Sequence, residues 1–491
     1  MSALLSPQWH PYSRKSNYTI AEHGPRYYPK KRPDCARKRD RVCFTATAPK
    51  PGLTTQSVKT RKVKINTKKA IFYGWWLVAA AALIYFVEAS VVTTFGIYIK
   101  PIAKEFYQTG IHYSRADLTL AFSFFMLATT VFGFMAGYLT DRYIKPNWMI
   151  LLGGILIGLG LYLTSHIHNM WQFYLSYSLL GGSGFACVYI PLVSTIPRWF
   201  KSRQGLALGI FYAGGGIGGL IFSPMIEHFI ADYGWRTTFV IMSIITVCFI
   251  LPLSFFIKRN PSDKGLLRLG ETVSTGNDPS AKGQASPQAM GKSLTIVEAI
   301  RGKSLWIYSL AFSLILAGIL MAQVNLVPNA TDVGIASATA SLALGFANGF
   351  NAAGRLAGGF FADRIGSRKS LIFCLLLGAA TLFYFIIVDQ PWMLFLFAIP
   401  FGFAYGFSLP QQPRIAAQLF GVKNLGSIMG FQGFLGVWGP AFGPFLGSYI
   451  FDHTGNYKLA LIIGGAGLLV GLVLILLLKL KDPVRAKPKT G

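Results

Sequence analysis

Gly359-Phe-Phe-Ala-Asp363-Arg364-Ile-Gly366-Ser-Arg368-Lys369 has an earlier counterpart in Gly137-Tyr-Leu-Thr-Asp141-Arg142, and each closes one apolar segment just before another begins. From Gly137 to Gly359 is 222 residues. Pro224 and Pro444 lie 220 apart, as do the starts of Phe200-Lys-Ser-Arg-Gln and Phe420-Gly-Val-Lys-Asn. An offset kept over so many segments marks one membrane unit used twice.

Of the 491 residues, 53% are hydrophobic and only 13% charged, more apolar surface than a water-soluble core of that size hides. A helix needs roughly 20 residues to cross a hydrocarbon core. Runs of that length fall at about 73–98, 118–139, 148–165, 171–195, 205–228, 235–257, 304–328, 337–361, 370–388, 391–413, 426–450 and 457–479. The expected fold is therefore all-α, with twelve transmembrane helices in two pseudo-symmetric six-helix halves. The halves are placed at 71–257 and 304–480, joined by a polar cytoplasmic linker at 258–303 that includes an amphipathic stretch, Ser293 to Arg301.

Lys and Arg beside a span resist export. Arg142, Lys145, Arg198, Lys201, Arg203, Lys258, Arg259, Arg364, Arg368, Lys369 and Lys423 all fall on one side, which is assigned to the cytoplasm together with both termini. The opposite loops break this pattern mainly at Lys100, Lys104 and Arg115. A multi-pass protein of the cell or inner membrane is expected.

The net charge of +28 does not signal nucleic acid, because half of it sits in residues 1–70, where 17 Lys or Arg face 3 Asp or Glu. That segment lacks hydrophobic periodicity and reads as a disordered basic tail, as 481–491 reads as a short cytoplasmic one. No basic groove interleaved with aromatics follows. The five cysteines are scattered without metal spacing, and no nucleotide motif, catalytic triad or metal constellation is present. No cofactor and no enzymatic activity are expected.

The paired Gly-x-x-x-Asp-Arg loops resemble the hallmark loop of the major facilitator superfamily. Tyr73-Gly-Trp-Trp76, Arg198-Trp-Phe-Lys-Ser-Arg-Gln-Gly-Leu-Ala-Leu-Gly209 and Tyr233-Gly-Trp-Arg-Thr-Thr-Phe239 narrow the resemblance to the monocarboxylate porters and the related oxalate:formate antiporters. It implies a secondary transporter working by alternating access on a small organic monoanion, with protons as a coupled partner. Carboxylate exchange and a non-transporting, transporter-like sensor stay open as alternatives. Asp141, Arg142, Asp363 and Arg364 read as conformational latches, since an acid followed by Arg at a helix end can pair with a neighbour in one arrangement of the halves.

Arg355 is the outstanding charge inside a span. Placing a permanent cation there costs about 2.5–3.5 kcal/mol on insertion scales, which is tolerated beside a wet cavity or a partner. Its planar fork suits a carboxylate. Asn351 and Asn348 lie four and seven residues earlier on the same helical face, and the resemblance makes Arg355 the substrate-binding residue. The porters' acid one turn before that Arg is Asn351 here, and the antiporters' second cation in span 11 is replaced by a stretch whose strongly polar residue is Gln432. Tyr189, Tyr212 and Gln432 complete the expected substrate set, with Tyr85, Gln323, Asn325, Tyr405 and Gln411 as further polar residues of the spans. Glu88, alone near the middle of span 1, is the expected proton-coupling group, protonated in one state and paired with Arg355 in another.

Overall fold

The computed structural model describes residues 72–110, 112–200, 203–270, 294–421 and 425–478. The tails expected at 1–70 and 481–491, and most of the linker, lie outside these. Among the described residues helix dominates and no sheet forms. Nine helices among the described residues are long and apolar enough to cross a membrane, and one of them is double. The helix Gln204–Ser254 contains Gly234 at φ 77°, a left-handed turn that splits it into spans 5 and 6.

The remaining two spans of the twelve fall short of that length-and-apolarity criterion for a physical reason. Span 8, Ser337–Ile365, is diluted by Asn348, Asn351, Arg355 and many small residues. Span 11 is broken into Leu425–Gly436 and Trp438–Thr454. The other spans are span 1 (Tyr73–Thr93 with Phe95–Gln108), span 2 (Arg115–Arg142), span 3 (Pro146–Thr164), span 4 (Met170–Trp199), span 7 (Lys303–Asp332), span 9 (Ser367–Phe385), span 10 (Pro391–Ser408 with Gln411–Phe420) and span 12 (Lys458–Leu477).

Packing repeats with the sequence. Span 1 lies on span 5 as span 7 lies on span 11, span 2 on span 4 as span 8 on span 10, and span 3 on span 6 as span 9 on span 12. Spans 5 and 8, and symmetrically 11 and 2, join the halves. Glycine permits the closest approaches: a Cβ on Gly406 of span 10 would run into the backbone carbonyl of Asn351 on span 8.

Local breaks have local causes. In span 1 the Ser90 hydroxyl donates to the Val87 carbonyl at 2.6 Å and Thr94 to Ser90 at 2.7 Å, back-bonding that competes with the helix ladder where the two pieces part. Span 10 breaks beside Pro410, which has no N–H to give. Span 4 carries a π-helical stretch, Tyr174–Gly181. The amphipathic stretch before span 7 forms a short helix, Ile296–Arg301, closed by a capping box between Thr295 and Glu298.

Arginines on the basic face cap helix ends as well as marking topology. Arg259 donates to the Thr140 and Ile144 carbonyls at the end of span 2, Arg268 to those of Pro197 and Arg198 at the end of span 4, and Arg368 to that of Leu476 at the end of span 12. At the far face the Tyr233-Gly-Trp-Arg turn clamps the first half. Arg236 donates to Glu105 of span 1 at 2.8 Å and to the Ser165 and Ile167 carbonyls after span 3, while the Trp235 indole donates to the same carboxylate.

Candidate functional site

Span 8 presents two faces. One packs on span 10, with Gly354 and Gly358 against the Phe403 and Phe407 backbone. The other meets span 5, where Asn348 covers Gly219 and Ala352 covers Gly216. Arg355 continues that second face by one turn, so the packing of small residues aims it across the boundary between the halves.

There its Nη1 donates to the backbone carbonyl of Tyr212 at 3.2 Å, and the guanidinium carbon stands 5.3 Å from the centre of the Tyr212 ring. The side chain is half-buried, and its Nε has no hydrogen-bond partner. Tyr85, Tyr189 and Tyr405 also face the charge. The first half thus supplies an aromatic wall. Tyr189 and Tyr212 approach hydroxyl to hydroxyl at 3.3 Å, and the Tyr85 ring lies 5.7 Å from Tyr189, 6.1 Å from Tyr212 and 4.7 Å from Phe211.

The second half supplies amides. Gln323 of span 7 donates to Asn348 at 3.1 Å, and this leaves Gln323 Oε1, Asn348 Nδ2 and Asn351 Oδ1 buried without partners. Buried polar atoms are nearly always paired, so unpaired donors and acceptors grouped along spans 7 and 8 beside a cation are a place where a solute's polar atoms can be received.

Arg355, Tyr189 and Tyr212 are therefore brought together, with Tyr85 and Tyr405 beside them, while Asn348 pairs with Gln323 two turns earlier along the same face of span 8. Asn351 falls between the two faces, with its carbonyl against Gly406. Gln432 is not brought to the cluster: its Oε1 accepts from Gln412 at 2.8 Å, in the contact between spans 10 and 11. Asn325 is spent on the Met321 and Pro444 carbonyls and Ser448, and Gln411 donates to the Gly358 and Phe407 carbonyls. Polarity within a span marked all of these equally; only their neighbours separate them.

Glu88 is fully buried, with neither carboxylate oxygen hydrogen-bonded. The expected meeting with Arg355 is not made in this conformation, where the guanidinium turns to Tyr212 instead. Of the latches, the side chains of Asp141 and Asp363 lie outside the described residues. Arg142 reaches Tyr138 on its own helix at 3.4 Å, and Arg364 lies over the Phe360 ring at 4.2 Å, so among the described residues neither arginine is seen to bridge to the other half.

The sequence model of the Major Facilitator Superfamily matches residues 77–328 and 310–491, and the chain belongs to that family. It is similar to monocarboxylate transporter 13 of Bos taurus, at 25% identity over 402 residues covering 81% of this chain and 88% of the relative, and of Rattus norvegicus, at 26% over 401 residues covering 81% and 87%. Monocarboxylate transporter 11 of Mus musculus is 25% identical over 410 residues, covering 81% and 86%. Among solved structures, a bacterial homologue of the human lysosomal transporter Spinster, inward-facing and occupied, superposes with a TM-score of 0.63 at 14% identity, over 82% of this chain and 96% of its own. A point mutant of the nucleoside transporter NupG gives 0.60 at 13% identity over 82% and 99%. The fold is that of a twelve-helix transporter, and the chain is a multi-pass membrane protein.

Proposed function

We propose that this chain carries a small organic monoanion across its membrane by alternating access, with Arg355 receiving the carboxylate. The observation that carries this reading is the position of Arg355: a permanent cation contributed by the second half, half-buried, donating to the first half at Tyr212, with its Nε unpaired. A fixed guanidinium binds a carboxylate through two parallel hydrogen bonds. A single such cation favours a monoanion, and the similarity to proteins named monocarboxylate transporters points the same way.

Tyr189, Tyr212, Asn348 and Asn351 are assigned to the rest of the substrate, as ring faces and hydrogen-bonding groups; Gln432 is assigned to packing. Glu88 is the proposed proton carrier. A carboxyl sealed away from water without a partner is best accommodated as the neutral acid, and it can ionise when the halves rearrange and bring a cation or water to it. Coupling then follows if the proton and the anion are both needed for the halves to move. Asp141–Arg142 and Asp363–Arg364 are proposed to hold the opposite conformation, at the basic face, which the distribution of Lys and Arg assigns to the cytoplasm.

Counterflow of radiolabelled pyruvate, lactate and acetate in proteoliposomes tests the reading. Internal unlabelled monocarboxylate should drive accumulation of at least one label in the wild type and none in Arg355→Ala. Equal counterflow by the two overturns the assignment. Accumulation driven by an inward proton gradient without internal anion distinguishes symport from obligatory exchange.

A further inference from the structure

We propose that Lys100, Arg115 and Asp332 form a lock between the halves that holds the far face closed, and that the passage opens on that side only when these three charges part. This goes beyond the substrate site and rests only on the reading that the halves move against each other.

Lys100 and Arg115 are two of the cations that break the charge pattern of the far face, and topology gives no reason for them. The structure does. The carboxylate of Asp332, the last residue of span 7, accepts from Lys100 Nζ at 2.6 Å and from both terminal nitrogens of Arg115, at 2.5 and 2.9 Å. Two cations of the first half thus grip one carboxylate of the second, in the bidentate arrangement that fixes position as well as charge.

Arg115 is itself held in place by the second half: its guanidinium carbon lies 3.8 Å from the centre of the Phe451 ring, and Nη1 is 3.3 Å from the Tyr457 hydroxyl. A second carboxylate, Asp452, accepts from the backbone N–H groups of Arg115 at 3.2 Å and Ala116 at 2.8 Å, so the first turn of span 2 is capped by a residue of the other half. Behind this layer Ser123 of span 2 donates to the Ala441 carbonyl of span 11 at 2.5 Å, and Gly96 of span 1 sits directly on the Val324 carbonyl of span 7.

An isolated exposed ion pair contributes little, but here the side chains of Lys100, Arg115 and Asp332 are only 32%, 18% and 23% exposed, and the three charges share one network with an aromatic face beneath it. None of these contacts survives separation of the halves at this end. The substrate site does not use them, so the lock sets which side is closed without touching what is bound.

The test measures the distance between spin labels on Tyr107→Cys in the first half and Leu459→Cys in the second, both exposed at the far face, in a chain whose own five cysteines are serine. Arg115→Gln, which removes one charge-assisted pair, should raise the ratio of long to short distances about tenfold, Asp332→Asn, which removes the pairs to both Lys100 and Arg115, at least as much, while Asp332→Glu stays near the parent chain. Combining the two substitutions should add nothing to the larger single effect, because both break the same lock. A parent-like distance distribution in a stably folded Asp332→Asn, or effects that multiply in the double variant, overturns the proposal. The readout needs no substrate, so a failure to find any carried carboxylate leaves the measured distances and their meaning intact.

Discussion

The two halves repeat each other in helix order and pairing, yet they meet at the candidate site with different chemistry. The first half brings rings, Tyr85, Tyr189, Phe211 and Tyr212; the second brings a charge and amides, Arg355, Asn348, Asn351 and Gln323. Duplication fixed the packing frame, and side-chain divergence within the frame made an asymmetric site. The lesson is that a repeat locates the boundary where a solute passes, while the residues that break the repeat say what kind of solute it is.

Removing the second half's charge should break this comparison most severely. Arg355→Ala is expected to lower monocarboxylate uptake by about a hundredfold or more, on the order of 3 kcal/mol for a lost charge-assisted contact. Arg355→Lys keeps the charge without the fork and should retain about a tenth of the activity, read as initial rates in proteoliposomes. Next in size is the first half's own buried carboxyl. Glu88→Gln should abolish accumulation driven by a proton gradient while counterflow persists; unchanged gradient-driven accumulation removes Glu88 from the mechanism.

Smaller effects sharpen the boundary between site and scaffold. Gln432→Met leaves Gln412 without its partner and should cost about 1–3 kcal/mol of stability, seen in thermal unfolding, with no change in the concentration of substrate giving half-maximal uptake. Tyr189→Phe removes only the hydroxyl 3.3 Å from Tyr212. It should raise that half-maximal concentration by about fivefold, near 1 kcal/mol, and leave stability almost unchanged.

The frame was legible because apolar runs of membrane length and a fixed offset are properties of long stretches, and averaging over a stretch hides local exceptions. The exceptions themselves were not legible. The break at Thr94 depends on two hydroxyls back-bonding in turn, and the π-helical stretch of span 4 leaves no mark in apolar periodicity. At the site, Arg355 stood out because a lone cation in a span needs a partner or a wet cavity; helical spacing placed Asn348 on its face, but not Asn351, whose carbonyl lies against Gly406, nor the tyrosines of other spans around the guanidinium. Gln432 read the same way as Asn348 by polarity, and only the packing of span 11 on span 10 separates a residue spent on Gln412 from one left with an unpaired Nδ2. Asp332 carried no signal in the sequence, because its partners come from more than 200 residues earlier in the chain.

Equilibrium binding of a panel of radiolabelled small carboxylates to purified protein tests the central assignment most directly, with thermal unfolding as the control for folding. Saturable binding of at least one monocarboxylate to the wild type, lost in a folded Arg355→Ala, is the predicted result. Equal binding by both proteins contradicts it.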